Sequence, residues 1–319
     1  MRIAIYGGEI CFFFLYTLVL FSVGYDREKN SFWNIRFAYL IPSFTVIIAP
    51  LVFNELFFRN WSWIIFSFSG CFLGLIVGTW RKFGLFEDNF PPSKEIQSNV
   101  YAAHQKLLSE GLHQHAIQGL FNRIGALLGL IATSPLIIIV INIIWLENPG
   151  PLFFVKNSVG KGGRNFKQLK FRTMIRDAEE KTGPILAEVN DHRTLKIGKF
   201  LRKTAFDEIP QLINILLGDM AFVGPRPQRT VLVEEYLKTL PEFAERHVVL
   251  PGLAGLAQIA GSYYITPRQK LRYDRIYVKH ASLGFDLKLI TLAVILVLWL
   301  RWKPDWNGRM PRNWLRICS

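Results

Sequence analysis

The stretch RKTAFDEIPQLINILLGDMAFVGPRP, residues 202–227, places two adjacent carboxylates, Asp207 and Glu208, directly before an apolar run. The apolar positions recur at helical spacing, which predicts an amphipathic helix over 207–217 with both carboxylates at its N-terminus. Such a terminus attracts anions, and Arg202 lies just upstream. A carboxylate here can attack phosphorus or hold a divalent metal. The alternative is an ordinary acidic first turn, which helices favour in any case.

The composition is typical of a membrane protein. Half of the 319 residues are hydrophobic, with 26 Phe and 9 Trp, and three nearly uncharged stretches occupy residues 10–23, 37–53 and 61–80. Each is close to the length that crosses a bilayer, the first if residues 3–6 extend it. We therefore expect about three transmembrane helices within residues 1–82. The Lys/Arg distribution predicts an external N-terminus and a cytoplasmic location for everything after residue 81.

The net charge of +14 allows three kinds of partner: nucleic acid, anionic lipid or a phosphate-bearing substrate. The sequence contains no recognisable nucleic-acid-binding module. In a membrane protein the charge therefore favours lipids and phosphates as partners, and we expect no nucleic acid.

A fourth long apolar segment, residues 120–146, carries Ser134-Pro135 near its middle. Its length alone would allow it to span the membrane. Proline removes a helix hydrogen bond and bends the axis, and both flanks of the segment are basic. A kinked helix that enters and leaves on the cytoplasmic side satisfies both flanks, so we predict a re-entrant helix over 118–146. Residues 83–117 before it are predicted to be a cytoplasmic linker containing a surface helix over 94–117.

The region from 147 to 303 is predicted to be a compact, basic α/β or α+β unit. A Gly-rich hairpin leads into a basic strand, on which Lys170 and Arg172 are two residues apart and so share a face. With Arg202 and Arg226 they could clamp a diphosphate, or the basic face could lie on anionic lipid. The apolar run 289–300 is too short to span and predicts an interfacial helix. A basic, Trp-rich tail follows at 304–319.

Five stretches match a known family pattern. They are NPGPLFF (148–154), LKFRTM (169–174), FLRKTAFDEIPQLINILLGDMAFVGPRP (200–227), LPGLAGLAQIAG (250–261) and FDLKLI (285–290). With these motifs and the Ser134-Pro135 break, residues 118–300 resemble the bacterial sugar transferases, monotopic phosphoglycosyl transferases that start glycan assembly on polyprenol phosphate. The implied fold class is membrane α+β, with N-terminal transmembrane helices, a re-entrant kinked membrane helix and a small cytoplasmic α/β catalytic domain with interfacial helices.

The resemblance also implies a chemistry and a location. Asp207 is expected to attack the β-phosphorus of a UDP-sugar, releasing UMP, and Glu208 to help hold Mg²⁺. Polyprenol (undecaprenyl) phosphate then takes the phosphosugar at the bacterial inner membrane, with the catalytic domain in the cytoplasm. The residues expected to bind phosphate or to shape the nucleotide pocket are Arg202, Lys170, Arg172, Pro225, Arg226 and Pro227.

Several positions depart from the family pattern. A Lys-Arg pair and an Asp are usual where this chain has Gln118, Gly119 and Asn122, which predicts a weaker interfacial anchor and a weaker helix-pinning contact, unless Arg123 substitutes. The other departures are Lys156-Asn157-Ser158 for Gln-x-Arg, Ala205-Phe206 for Ser-Leu, and Ala254 for Thr. These changes keep a second hypothesis open, a weakly active membrane scaffold for polysaccharide assembly. The sugar, the glycan pathway and the oligomeric state stay open as well.

Overall fold

The computed structural model describes residues 94–109, 116–176, 178, 191–260 and 265–299. The predicted transmembrane helices within 1–82 and the tail at 304–319 lie outside these residues. The described residues divide into two compact units, one containing 130–146 and the other containing the rest.

The larger unit is built from short elements of mixed type, joined to a long helix. The helices are α1 (Lys94–Ser109), α2 (Ala116–Glu147), α3 (Lys196–Thr204), α4 (Gln211–Leu217), α5 (Thr230–Thr239), α6 (Leu256–Ala260), α7 (Pro267–His280) and α8 (Leu283–Leu298). The strands are β1 (Phe153–Val159), β2 (Asn165–Phe171), β3 (Ala221–Val223) and β4 (Gly252–Ala254), and 3₁₀ turns occupy Lys161–Gly163, Phe206–Glu208 and Pro241–Val248.

Two small sheets make this an α+β arrangement. β1 and β2 pair antiparallel, with Phe154 opposite Lys170 and Lys156 opposite Gln168, which confirms the predicted hairpin. β3 and β4 pair in parallel and bring the 221–227 segment against 251–254. The described residues therefore support a mixed helix-and-sheet domain.

Helix α1 is part of the larger unit's core. Ile96 and Val100 are buried in one cluster with Val159 and Phe243. The predicted helix is thus confirmed over Lys94–Ser109, with one face buried.

Helix α8 packs its buried stripe against a second core cluster. Leu289, Leu292 and Leu296 lie in that cluster with Ile259. Its other face is also apolar, because Leu287, Val294, Leu298 and Trp299 are exposed. The interfacial position expected for residues 289–300 stays a prediction.

The α2 segment is helical throughout, although Pro135 lies inside it. Proline has no N–H, so the Ile131 carbonyl four residues earlier loses its usual partner. The Ser134 hydroxyl donates to that carbonyl at 2.8 Å and replaces the missing bond. Among the described helices, α2 has a segment long and apolar enough to cross a membrane, residues 118–147.

The predicted helix over 207–217 is wrong at its start. Asp207 and Glu208 belong to a separate 3₁₀ turn, and α4 begins only at Gln211. Ala205 ends α3 in the left-handed conformation with φ 59°, which turns the chain before the carboxylates. The N–H groups of Glu208 and Ile209 bond to carbonyls within the turn. The expected helix N-terminus therefore does not lie at the carboxylates.

Candidate active site

Glu208 is held between two cations. Its Oε1 accepts from Lys170 Nζ at 2.5 Å and from Arg226 at 2.5 Å, while Oε2 accepts from the same guanidinium at 3.3 Å. Burial alone would raise the pKa of Glu208, but Arg226 and Lys170 outweigh it and hold the pKa far below its ordinary value of 4.5. Glu208 is therefore ionised at neutral pH.

Asp207 lies beside this ion pair in a different environment. It is buried, and its Oδ2 is 3.7 Å from Lys170 Nζ. Burial raises the pKa of Asp207 above its ordinary value of 3.8 and the Glu208 charge adds to the rise, whereas Lys170 and Arg226 oppose it. The two adjacent carboxylates thus have pKa values shifted in opposite directions, an arrangement common at reactive sites.

Arg202 reaches the site from the last turn of α3. Its Nε donates to Thr173 Oγ1 at 2.9 Å, and its charge acts on Asp207 to lower the pKa of that carboxyl. Helix α3 can lie this close to Thr173 because Gly198 faces the Thr173 carbonyl, where a Cβ atom would clash. This close approach fixes Arg202 relative to the turn that carries the carboxylates.

The Pro225-Arg226-Pro227 turn presents Arg226 to Glu208. Both prolines are buried, and the Pro225 carbonyl accepts from Gly252 N–H at 3.0 Å. Gly224 and Gly252 approach so closely that a side chain on Gly252 would clash with the Gly224 backbone. Glycine is required there for the turn to meet β4.

A buried ion pair supports the turn from beneath. Arg246 Nε donates to Asp274 Oδ2 at 2.9 Å, and Arg246 also donates to the Arg226 carbonyl at 2.7 Å. Both side chains of the pair are almost fully buried. Sequence reasoning missed this support because the two residues lie in separate elements and outside the motifs used to predict the site.

Arg172 lies just beyond the end of β2 and contacts the loop before β1, and its expected role in binding phosphate stays a prediction. Strand β2 ends at Phe171, and the buried Arg172 side chain donates to the Asn148 carbonyl. It therefore holds the loop that precedes β1. The structure brings together Lys170, Asp207, Glu208 and Arg226, and Arg202 lies beside them. Arg172 lies instead at the loop before β1, where it contacts Asn148.

The donor set of the site fits Mg²⁺ in its common mode of binding. Mg²⁺ usually takes one or two carboxylates together with substrate phosphates and waters. Asp207 and Glu208 can supply the carboxylates. The described part of the chain contains no cluster of three or more His, Cys, Asp or Glu residues that could hold a metal without a substrate. Both Glu208 oxygens already accept from cations, so a metal there would exchange with Lys170 or Arg226. This arrangement suits a metal that arrives together with a diphosphate.

The model of the bacterial sugar transferase family matches residues 113–300, which include every residue of the site just described. The chain belongs to this family. Its similarity extends to an Aeromonas hydrophila UDP-N-acetylgalactosamine-undecaprenyl-phosphate N-acetylgalactosaminephosphotransferase, at 38% identity over 168 residues, or 52% of this chain and 40% of the relative. A UDP-glucose:undecaprenyl-phosphate glucose-1-phosphate transferase of Xanthomonas campestris pv. campestris is 35% identical over 186 residues. The match covers 57% of this chain and 38% of that relative.

A shorter family member matches over most of its own length. This putative undecaprenyl-phosphate N-acetylgalactosaminyl 1-phosphate transferase of Bacillus subtilis is 42% identical over 149 residues, or 46% of this chain and 83% of the relative. In the Aeromonas and Xanthomonas relatives, by contrast, the matched region is about two fifths of the protein. This chain therefore spans less than half of the Aeromonas and Xanthomonas relatives, and the range 113–300 that the family model matches contains Asp207 and Glu208.

The departure at Asn122 leaves a helix-pinning contact in place. Asn122 Oδ1 accepts from Phe222 N–H at 2.9 Å, and its Nδ2 donates to the Gln118 carbonyl. Gln118 in turn donates to Asp286 Oδ2 at 2.9 Å and ties α2 to α8. Asn122 therefore makes a helix-pinning contact to Phe222, and the weaker interfacial anchor stays a prediction.

Proposed function

We propose that this protein transfers a sugar-1-phosphate from a UDP-sugar to polyprenol phosphate and releases UMP. The observation that supports this most is the pairing at one turn of a buried carboxylate, Asp207, with an ionised carboxylate, Glu208, held by two cations. The similarity to undecaprenyl-phosphate sugar phosphotransferases supports the same reaction.

The reaction proceeds in two displacements at the β-phosphorus. In the first, an Asp207 carboxylate oxygen bonds to phosphorus, the bond to the bridging oxygen breaks, and UMP leaves. In the second, a phosphate oxygen of polyprenol phosphate bonds to the same phosphorus and the bond to Asp207 breaks. The product is a polyprenyl-diphosphate sugar, and Asp207 is restored as a carboxylate.

The cations of the site suit a diphosphate substrate. Lys170 and Arg226 are already positioned by Glu208, so little side-chain ordering is needed when phosphate oxygens arrive. Arg202, fixed by Thr173, lies where it can stabilise charge near Asp207. A bound Mg²⁺, held in part by Glu208, would neutralise charge on the departing UMP.

The apolar surface of the larger unit suits a lipid acceptor at a membrane. Exposed apolar side chains line the first half of α2 and the outer face of α8, and Phe200 is exposed on α3. They are Leu120, Ile124, Leu127, Leu128, Phe200, Leu287, Val294 and Leu298. The Gln118–Asp286 hydrogen bond makes α2 and α8 neighbours. We infer that this face lies on the inner membrane and brings the site to polyprenol phosphate.

Both ends of α2 are bound to the same unit, which supports re-entrant topology. Near its start Asn122 binds Phe222, and at its end Glu147 accepts from the N–H groups of Lys196 and Ile197. A straight membrane-spanning helix would place these two contacts on opposite sides of the bilayer. We infer that α2 enters and returns on the cytoplasmic side, where the catalytic unit lies.

Release of UMP from a panel of UDP-sugars tests the proposal. Full-length protein in detergent with Mg²⁺ and undecaprenyl phosphate is expected to release UMP, and Asp207→Asn to abolish release. Glu235→Gln, which removes an exposed carboxylate on α5, is the control and should keep activity. Absence of UMP release by the wild type with every sugar would refute the enzyme and favour the alternative of a membrane scaffold. Equal release by the wild type and Asp207→Asn would refute Asp207 as the nucleophile.

A further inference from the structure

Lys156 lies on the face of the hairpin that carries Lys170. It pairs across the sheet with Gln168, two residues before Lys170 on β2. Side chains of paired residues in antiparallel strands point to the same side, and diagonal neighbours are about 7–8 Å apart. Lys156 and Lys170 are therefore diagonal neighbours, and Lys170 is the residue that binds Glu208.

The surroundings of Lys156 are strongly cationic. Lys170, Arg226 and Arg229 all act on it electrostatically, and Glu208 is the anion that opposes them. Arg229 stacks on Phe154, which is two residues from Lys156 on β1. The Arg229 Cζ atom lies 5.8 Å from the centroid of the Phe154 ring. Burial and these positive neighbours lower the pKa of Lys156 to about 7.

Gln168, the cross-strand partner of Lys156, and Glu208 are already engaged with other residues. Gln168 accepts from Ser158 Oγ at 3.1 Å and donates to Gln211 at 2.8 Å. The Glu208 oxygens accept from Lys170 and Arg226. Among the described residues, the Lys156 ammonium has no hydrogen-bond or ion-pair partner. A half-buried cation without a counter-ion costs stability, which an anionic ligand would repay.

We propose that Lys156 binds a substrate phosphate group beside Lys170 and Arg226, a role that rests on the proposed function. The family pattern has Gln at this position and Arg at the position of Ser158. This chain therefore has its cation two residues earlier on the same strand, about 6.6 Å away. At position 156 the charge lies beside Lys170, which binds Glu208.

The test measures binding of two phosphates, without turnover, to full-length protein in detergent. UDP represents the donor, and undecaprenyl phosphate represents the acceptor. Lys156→Gln installs the family residue and is expected to weaken binding of UDP about tenfold at pH 6.5. Lys156→Arg is expected to retain it. Lys167→Gln removes a cation from the opposite face of the same hairpin and should leave binding unchanged.

Each outcome decides the proposal. If Lys156→Gln weakens the binding of UDP but not of undecaprenyl phosphate, Lys156 is assigned to the donor diphosphate. If it weakens the binding of undecaprenyl phosphate but not of UDP, Lys156 is assigned to the acceptor phosphate. Equal affinities of Lys156→Gln and wild type for both ligands would overturn the inference while leaving UMP release, and so the proposed function, intact. Failure of the wild type to bind either ligand would overturn both. Lys156-dependent binding in a wild type that releases no UMP would overturn the proposed function alone.

Discussion

Lys170 and Glu208 are 38 residues apart in sequence, yet the Lys170 ammonium lies 2.5 Å from Glu208 Oε1. The bond joins the end of β2 to the 3₁₀ turn and passes beside Asp207. It fixes the position of the turn, and the single negative charge of Glu208 offsets part of the positive charge of Lys170 and Arg226 in a largely buried place. The site therefore depends on Glu208 for its stability.

Glu208→Gln should destabilise the protein at neutral pH by about 3 kcal/mol, because Lys170 and Arg226 lose their shared counter-charge. Thermal unfolding in detergent measures this. The folded-state pKa of Glu208 lies below its unfolded value, so its contribution is present above about pH 4.5 and is lost as the pH falls toward the folded pKa. The difference in unfolding free energy between the wild type and Glu208→Gln should therefore become smaller in acid. A constant gap from pH 7 to pH 3 would contradict this account.

Asp207→Asn should raise the midpoint of thermal unfolding while abolishing UMP release. The folded-state pKa of Asp207 is above its unfolded value, so the ionised carboxylate destabilises the fold once the pH exceeds about 3.8. The loss of unfolding free energy caused by the Asp207 charge reaches its full size above the folded-state pKa. Asp207→Asn removes that loss because it removes the charge. The gain in melting temperature at pH 7 should vanish at pH 3. A lower melting temperature in the variant at pH 7 would show that the Asp207 charge stabilises the fold.

The Asn122 contact predicts two different outcomes at one position. Asn122→Ala leaves the Phe222 N–H without its acceptor and should cost about 1–3 kcal/mol of unfolding free energy. Asn122→Asp, the usual family residue, loses the bond to the Gln118 carbonyl and buries a carboxylate, but it keeps a charged acceptor for the Phe222 N–H, so it should cost less than Asn122→Ala. Chemical unfolding in detergent compares the two. Equal losses would mean that the Phe222 bond does not pin α2.

The topology of α2 can be read from the accessibility of two engineered cysteines. Ser98 precedes α2 and Arg164 follows it; both are exposed, and the 161–163 turn packs on α1 beside Ile96. Ser98→Cys and Arg164→Cys should react with a membrane-impermeant maleimide from the same side of sealed inverted membrane vesicles. Labelling from opposite sides would contradict re-entrant topology and favour a spanning helix.

Much of the site could be predicted from sequence because its motifs are local. The β1–β2 hairpin follows from a Gly-rich turn between a short strand and a basic strand, and the Pro225-Arg226-Pro227 turn is visible in the chain. The start of α4 was predicted wrongly, because helical spacing cannot show that Ala205 turns the chain left-handed before Asp207. Local propensity does not encode that turn.

Other parts depend on tertiary contacts that no spacing reveals. Arg172 shares a strand pattern with Lys170, but its side chain folds back to Asn148. The Arg246–Asp274 pair supports the Arg226 carbonyl from two distant elements. Asn214 accepts from Leu169 N–H and donates to the Lys167 carbonyl, joining α4 to β2, although its position in the helical pattern lies off the apolar face and gives no sign of this burial.

The central claim is that Asp207 becomes covalently bonded to the phosphosugar. The most direct measurement is peptide mass spectrometry of full-length protein mixed with a turnover-competent UDP-sugar and Mg²⁺, without undecaprenyl phosphate. This account predicts a phosphosugar adduct on Asp207, UMP released in equal amount, and loss of the adduct when undecaprenyl phosphate is added. Steady UMP formation with undecaprenyl phosphate but no adduct without it, or an adduct on Glu208 instead, would contradict it.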